Sequence, residues 1–211
     1  LLRGAGRHFQ AGADLKWITR VAGQSAEENE RVSRATATAV HRLNTLPVPT
    51  VALVQGGCFG GGTGIVAACD IVIAADNALF SIAETRWGLM AGIILPQLAD
   101  AIGARQVRRY ALSGERFDAL EARRIGLVHE VVPLAELQAA GERILGQLLQ
   151  NAPEANAQTK EGALEFAWGA IDDTVLGRLC AQHAAKRRSA EAAEGLASFV
   201  EKRAASWFPS A

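Results

Sequence analysis

Six glycines crowd residues 55–64, QGGCFGGGTG, at positions 56, 57, 60, 61, 62 and 64. Glycine reaches positive φ without strain and carries no Cβ to hold a ligand away from the backbone. A short, small-residue apolar stretch, residues 65–69, follows and reads as a buried helix. A glycine turn that opens a helix presents N–H groups without partners, with the positive end of the helix dipole behind them. The chemistry that such a turn offers is the holding of an oxyanion or a phosphate.

The spacing narrows the choice. No Lys-Ser or Lys-Thr follows the glycines, which excludes a P-loop. GTGIVA, residues 62–67, matches the dinucleotide pattern G-x-G-x-x-A, but it lies too far beyond the preceding apolar run, where that pattern should follow almost at once. Taken alone, the cluster also fits a ligand-free packing turn between helix and strand. The four histidines are scattered without a pair at ligand spacing, so no metal site is expected.

The glycine turn must be held by its neighbours. On its N-terminal side the β-branched run Thr50-Val51-Ala52-Leu53-Val54 reads as a buried strand, and beyond the short helix Ile71-Val72-Ile73 reads as a second. Upstream, residues 6–17, GRHFQAGADLKW, form another small-residue loop. Ser25 with Glu28 makes a capping box for a helix running to residue 43, with Val32, Ala35, Ala39 and Leu43 on its apolar face. Pro47 and Pro49 stop that helix and force extended backbone into the strand.

Downstream, residues 79–82 read as a short strand, followed by Glu84 and the loop TRWGLMAG. Residues 96–112 read as one or two helices broken near Gly103, with Arg105, Arg108 and Arg109 on the polar side. Asp118 caps a short helix that Gly126 ends, and residues 127–132 form a last strand. From Pro133 the chain is expected to be helical, over residues 134–150, 153–168 and 172–203. This gives an α/β body over residues 1–133 and a helical region over residues 134–211.

With 211 residues the body can bury a substantial core. The 22 Lys and Arg balance the 22 Asp and Glu, so no net field recruits nucleic acid or an anionic membrane. The run Lys186-Arg187-Arg188 lies beside Glu191 and Glu194 and reads as a solvated helix face. Three unpaired cysteines and the lack of a long apolar run point to a reduced, cytoplasmic setting without a membrane segment. The chain opens without Met inside what reads as a strand, so a preceding segment is expected.

At this point the wording of the chain becomes specific. GRHFQAGADLKW, GGCFGGGTGIVAACDIVIAAD, FSIAETRWGL, LSGERFDALEARRIGLVHEVVP and GLASFVEKR resemble, in order, successive signatures of the crotonase, or enoyl-CoA hydratase/isomerase, superfamily. The GGCFGGGTG and RWGL stretches are most similar to the branch acting on isohexenylglutaconyl-CoA and methylglutaconyl-CoA. The resemblance implies a spiral of β-β-α units forming two nearly perpendicular sheets, with a helical C-terminal region that builds trimers or dimers of trimers.

The resemblance also assigns residues. Family members bind an acyl-CoA thioester and polarise its carbonyl with two backbone N–H groups, which fall here on Ala13 and Gly61; preorganised amides of this kind suit an enolate oxyanion. Ala11, Asp14, Leu15 and Lys16 match the stretch lining the coenzyme A moiety, with Lys16 placed for a phosphate, or else a solvated surface lysine. Phe199, Lys202 and Arg203 match the terminal helix that approaches coenzyme A. Hydratases of the family use two glutamates: Glu84 matches the second, while Gly64 stands where the first would be. The glycine is expected to leave room for a branched acyl group. Arg86 could take a distal carboxylate, or form a surface salt bridge, and Trp87 would be pocket wall or core.

The resulting expectation is a hydratase of a branched, carboxylated enoyl-CoA, with coenzyme A as part of the substrate and no further cofactor. An isomerase working with the single carboxylate Glu84 is the first alternative. A non-catalytic CoA-binding scaffold is the second.

Overall fold

The computed structural model describes residues 1–166, 173–187 and 189–209. The expected helix ends at Trp168 and Asp172, and Arg188 of the basic run, lie outside the described residues. The strands are β1 (Leu2–Arg3), β2 (Val51–Val54), β3 (Gly57–Phe59), β4 (Ile71–Ala75), β5 (Leu79–Ser81), β6 (Arg116–Asp118) and β7 (Glu130–Val132). The helices are α1 (Leu15–Ala22), α2 (Ala26–Asn44), α3 (Gly61–Ala67), α4 (Leu95–Ser113), α5 (Ala119–Arg124), α6 (Leu137–Leu148), α7 (Pro153–Phe166), α8 (Asp173–Arg187) and α9 (Ala190–Glu201). The chain divides into one unit of Leu1–Leu46 with Thr50–Glu142, and a second of Pro47–Pro49 with Arg143–Ala211.

The first unit is built on two sheets. One is wholly parallel, in the order β1-β2-β4-β7; the other runs β3-β5-β6, with β3 and β5 parallel and β6 antiparallel. Every residue of β2 is buried, which is why its sequence is a continuous apolar run rather than an alternating one. Thr50 locks the start of β2 to β4: its N–H and hydroxyl both reach Asp70 Oδ2, at 2.6 and 2.8 Å. The chain passes from the first sheet to the second at Gly56, whose φ of 57° brings the Cα so close to Arg7 that a Cβ would stand 2.3 Å from the Arg7 carbonyl oxygen. It returns to the first sheet through α3, so each strand–strand–helix passage turns the chain once.

Helix ends follow the local chemistry. Ser25 Oγ accepts the Glu28 N–H at 3.2 Å, and Asp118 Oδ1 accepts the Glu121 N–H at 2.8 Å. Gly103 interrupts α4 with φ 72° and ψ 149°, while Arg105, Arg108 and Arg109 stay exposed. The main core gathers Val66, Phe80, Ile82, Leu98, Tyr110 and Phe117 between the sheets and α4. Phe117 stacks on Phe80 with ring centroids 5.6 Å apart.

Several expectations are corrected. The buried residue of α2 is Val40, flanked by the half-buried Val32, Ala37 and Leu43; Ala35 and Ala39 are exposed, because the inward stripe runs through residues 37 and 40 between Val32 and Leu43. Helix α3 begins at Gly61, within the glycine run, rather than at residue 65. Strand β7 starts at Glu130; the N–H groups of Leu127 and Val128 instead donate to the Ala122 carbonyl at the end of α5. Strands β3 and β6 were not anticipated.

In the second unit the expected single terminal helix is two. Ser189 N-caps α9, its Oγ accepting the Ala192 N–H at 3.1 Å, and Lys202 ends it with a left-handed φ of 53°. Lys186 joins Glu154 and Glu191 at 2.8 and 2.7 Å, so one cation of the basic run is spent within the unit. Among the described residues no helix is long and apolar enough to cross a membrane.

Candidate active site

The site lies on the first unit, where the glycine turn, the 10–14 loop and the segment after β5 meet. Gly60 holds φ 54° and ψ −123°, a conformation closed to residues with a Cβ. Its N–H donates to the Ser81 carbonyl at 2.8 Å, and its carbonyl accepts the Thr63 N–H and hydroxyl at 2.9 and 2.7 Å. The turn is thus tied to β5 on one side and to the fully buried Thr63 on the other. Gly61 is the first residue of α3, so its N–H has no intrahelical acceptor. A Cβ at Gly61 would meet open space.

The second loop is carried by Gln10, which pairs in parallel with Cys58 of β3. Gln10 Oε1 accepts the Gly12 N–H at 2.8 Å and lies 2.8 Å from where a Cβ on Gly62 would stand. One side chain therefore touches both loops. Neither composition nor motif pointed to Gln10; its role depends on register. Asp14 then caps α1, accepting the Lys16 and Trp17 N–H groups at 2.8 and 3.3 Å.

Glu84 opens a 3-10 turn, Glu84–Trp87, which follows β5 after Ile82 and Ala83. Its Oε2 is buried without a hydrogen-bond partner. Burial pushes the carboxyl above its ordinary pKa, with only its own backbone N–H acting the other way. The other oxygen, Oε1, faces Gly60.

These pieces line one cavity of about 340 Å³. Of the residues expected from sequence, Ala11, Ala13, Gly61, Glu84, Arg86 and Trp87 line it. Trp87 is 66% exposed, which makes it rim and not core. Phe59, Ser81 and Arg116 line it as well and were not foreseen: β3 and β6 left no legible pattern, and the strand read at residues 79–82 did not by itself mark Ser81 as lining.

Asp14 caps α1 and Lys16 stands in its first turn, both outside the lining, with Lys16 exposed; Leu15 is the first residue of that helix. Phe199 and Lys202 stand in the second unit, Phe199 84% exposed on α9 and Lys202 as its cap. Arg203 is engaged by Glu194 and Glu201, at 2.7 and 2.5 Å. Gly64 is corrected outright: a Cβ there would stand 2.2 Å from Ile94 Cγ2, so the missing side chain makes room for Ile94 and not for a branched acyl group.

A larger cavity of about 610 Å³ lies within the second unit, lined by Glu154, Glu161 and Glu165 as well as His183 and Lys186. Its excess of carboxylates suits an anionic ligand poorly. Among the described residues no cluster of His, Cys, Asp and Glu has the arrangement of a metal site.

The loop carrying Ala13, the glycine turn at Gly61, a desolvated carboxylate and an apolar wall thus share one cavity. The chain belongs to the enoyl-CoA hydratase/isomerase family, whose model matches residues 1–209. It is 34% identical over 204 residues to a putative enoyl-CoA hydratase of Thermus thermophilus, covering 96% of this chain and 80% of that one. It is 32% identical over 213 residues to a mitochondrial Δ(3,5)-Δ(2,4)-dienoyl-CoA isomerase of Dictyostelium discoideum, covering 96% and 72%. The crystal structure of an enoyl-CoA hydratase from Shewanella pealeana superposes with a TM-score of 0.92 at 37% identity, covering 96% of this chain and 76% of that one. The protein is therefore an enzyme of the hydratase/isomerase type acting on CoA thioesters.

Proposed function

We propose that the enzyme hydrates an α,β-unsaturated CoA thioester whose acyl group carries a carboxylate, of the glutaconyl type. The observation that carries the reading is Glu84 Oε2, a buried carboxylate oxygen without a partner in the same cavity as Ala13 and Gly61. The thioester oxygen sits between the Ala13 and Gly61 N–H groups, which are fixed before charge develops on it. Water adds its hydroxyl to the β carbon as Glu84 takes the proton, and the same carboxyl returns that proton to the α carbon. One carboxylate suffices because it ends the cycle as it began.

Arg86 lines the cavity and supports the carboxylated acyl group, since a guanidinium binds carboxylate in a planar fork. Ile94 closes the space beside Gly64, so Gly64 lends no support to a branch. Self-association as a trimer or dimer of trimers belongs to the same proposal. It is supported by the apolar surface that α9 exposes, with Leu196 at 65% and Val200 at 77%, and sedimentation tests it.

A single carboxylate also suffices to move a double bond, and one of the relatives above is an isomerase. Incubation with matched 2-enoyl and 3-enoyl thioesters separates the readings. Hydration removes the conjugated absorbance of the 2-enoyl substrate; isomerisation creates it from the 3-enoyl one. Loss of the 2-enoyl absorbance supports the proposal, and appearance of conjugation alone contradicts it.

A further inference from the structure

The cavity carries a second guanidinium. Strand β6 brings Phe117 into the core, 5% exposed, so its neighbour Arg116 points to the opposite face. The registers Phe59↔Ser81 and Ser81↔Arg116 put these three residues in one row across β3, β5 and β6. Residues directly opposite one another share a face of the sheet. Ser81, in the middle, is small, and its hydroxyl turns away to the Gly114 carbonyl at 3.2 Å. Arg116 thus reaches across Ser81, and its Cζ lies 5.5 Å from the centroid of the Phe59 ring. A guanidinium placed over an aromatic face in this way still has N–H donors to offer a ligand.

Arg86 arrives from the other side of the same segment. Its Nε would stand 2.7 Å from a Cβ on Gly114, so the side chain is propped against that glycine, two residues before Arg116. Among the described residues neither Arg86 nor Arg116 is in an ion pair, whereas Arg109, Arg124, Arg178 and Arg203 are. Both line the cavity that holds Glu84, and among the described residues no other acidic side chain lines it. Both are exposed and so are hydrated in the free protein, but together they offer an anion on the ligand two guanidinium groups in one small cavity. The phosphates of coenzyme A are set far from the sulfur by the pantetheine arm, so the anion that reaches here belongs to the acyl chain.

We infer that Arg116, held over the Phe59 ring and acting with Arg86, is the specificity-determining residue that reads a carboxylate on the acyl chain. The inference rests on the proposed thioester site and deepens it. Arg116 faces the acyl terminus, and Glu84 and the two N–H donors face the reacting carbons. Arg86 alone would attract an anion; the row through Ser81 adds a second, oriented fork.

The test is binding without turnover. Glutaryl-CoA, saturated and ending in a carboxylate, is compared with pentanoyl-CoA, of the same chain length and neutral. Both are titrated by calorimetry into the wild type, Arg116→Met, Arg116→Lys and Arg86→Met. The wild type is expected to favour glutaryl-CoA. Arg116→Met should reduce that preference roughly 10-fold or more, the scale of one charge-assisted hydrogen bond, while leaving pentanoyl-CoA affinity in place. Arg116→Lys should recover part of it, since charge returns without the planar fork. An equal loss for both ligands would make Arg116 merely structural and overturn the inference. So would a preference that only Arg86→Met abolishes, or a wild type without preference. Hydration of a neutral 2-enoyl thioester, followed separately, shows whether the broader reading stands in those cases.

Discussion

Glu84 Oε1 lies 3.1 Å from the point where a Cβ on Gly60 would stand. The carboxylate and the glycine turn that opens α3 are therefore within contact range, and the absence of a side chain at Gly60 is what allows it. Gly60→Ala meets two obstacles: the φ/ψ pair is strained for any L side chain, by about 1–3 kcal/mol, and the methyl presses on Glu84. The expected outcome is a lower melting temperature and a kcat reduced roughly 10-fold or more by displacement of the carboxylate. Thermal melts and steady-state rates check both; wild-type values for each would show that the contact does nothing.

Burial raises the Glu84 pKa from its ordinary 4.5, so the folded state holds the proton more tightly than the unfolded one. Below the ordinary value both states are protonated and the group is neutral with respect to stability. As pH rises past it, the unfolded chain releases its proton first, and stability falls until the folded-state pKa is passed. Glu84→Gln removes this loss. Its melting temperature is expected to match the wild type in acid and to exceed it increasingly towards neutral pH. A constant difference across that range would contradict the assignment.

Gly61 begins α3, where proline is well tolerated, and the Gly60 ψ of −123° is the mirror image of the extended value that suits a residue before proline. Gly61→Pro is therefore expected to fold while deleting one N–H. Relative to Gly61→Ala, which keeps the donor, it should lose about 10²–10³ in kcat. Equal rates for the two variants would remove this N–H from the mechanism.

Gly64→Ala places its methyl 2.2 Å from Ile94 Cγ2 and 2.5 Å from Ile94 Cβ, which no rotamer change of Ile94 relieves entirely. Overpacking of this kind costs about 1–3 kcal/mol, to be read by denaturant unfolding. A stable alanine variant with altered acyl-chain preference would instead return Gly64 to the substrate site.

The legible parts of the fold were those whose signal is local. Continuous apolar runs marked β2 and β4, caps marked α2 and α5, and a glycine amid a helical pattern marked the break at Gly103. Strands β3 and β6, three residues each, carry no readable alternation; only their pairing with β5 defines them. For that reason Phe59, Ser81 and Arg116 were invisible as a row, while Glu84 and Gly61 were found through motifs. Gly64 misled because an empty side chain reads the same whether a ligand or Ile94 fills the space. Gln10 escaped notice because it touches two loops that are far apart in sequence.

The most direct measurement is single-turnover hydration of a saturating 2-enoyl-CoA by Glu84→Gln, alongside the affinity of the same variant for an unreactive saturated thioester. Removing a general acid–base should slow the chemical step by roughly 10²–10⁴-fold and leave thioester affinity unchanged, because only transition-state chemistry is lost. A Glu84→Gln enzyme that hydrates at the wild-type rate would show that another group carries the proton and would contradict the proposed mechanism.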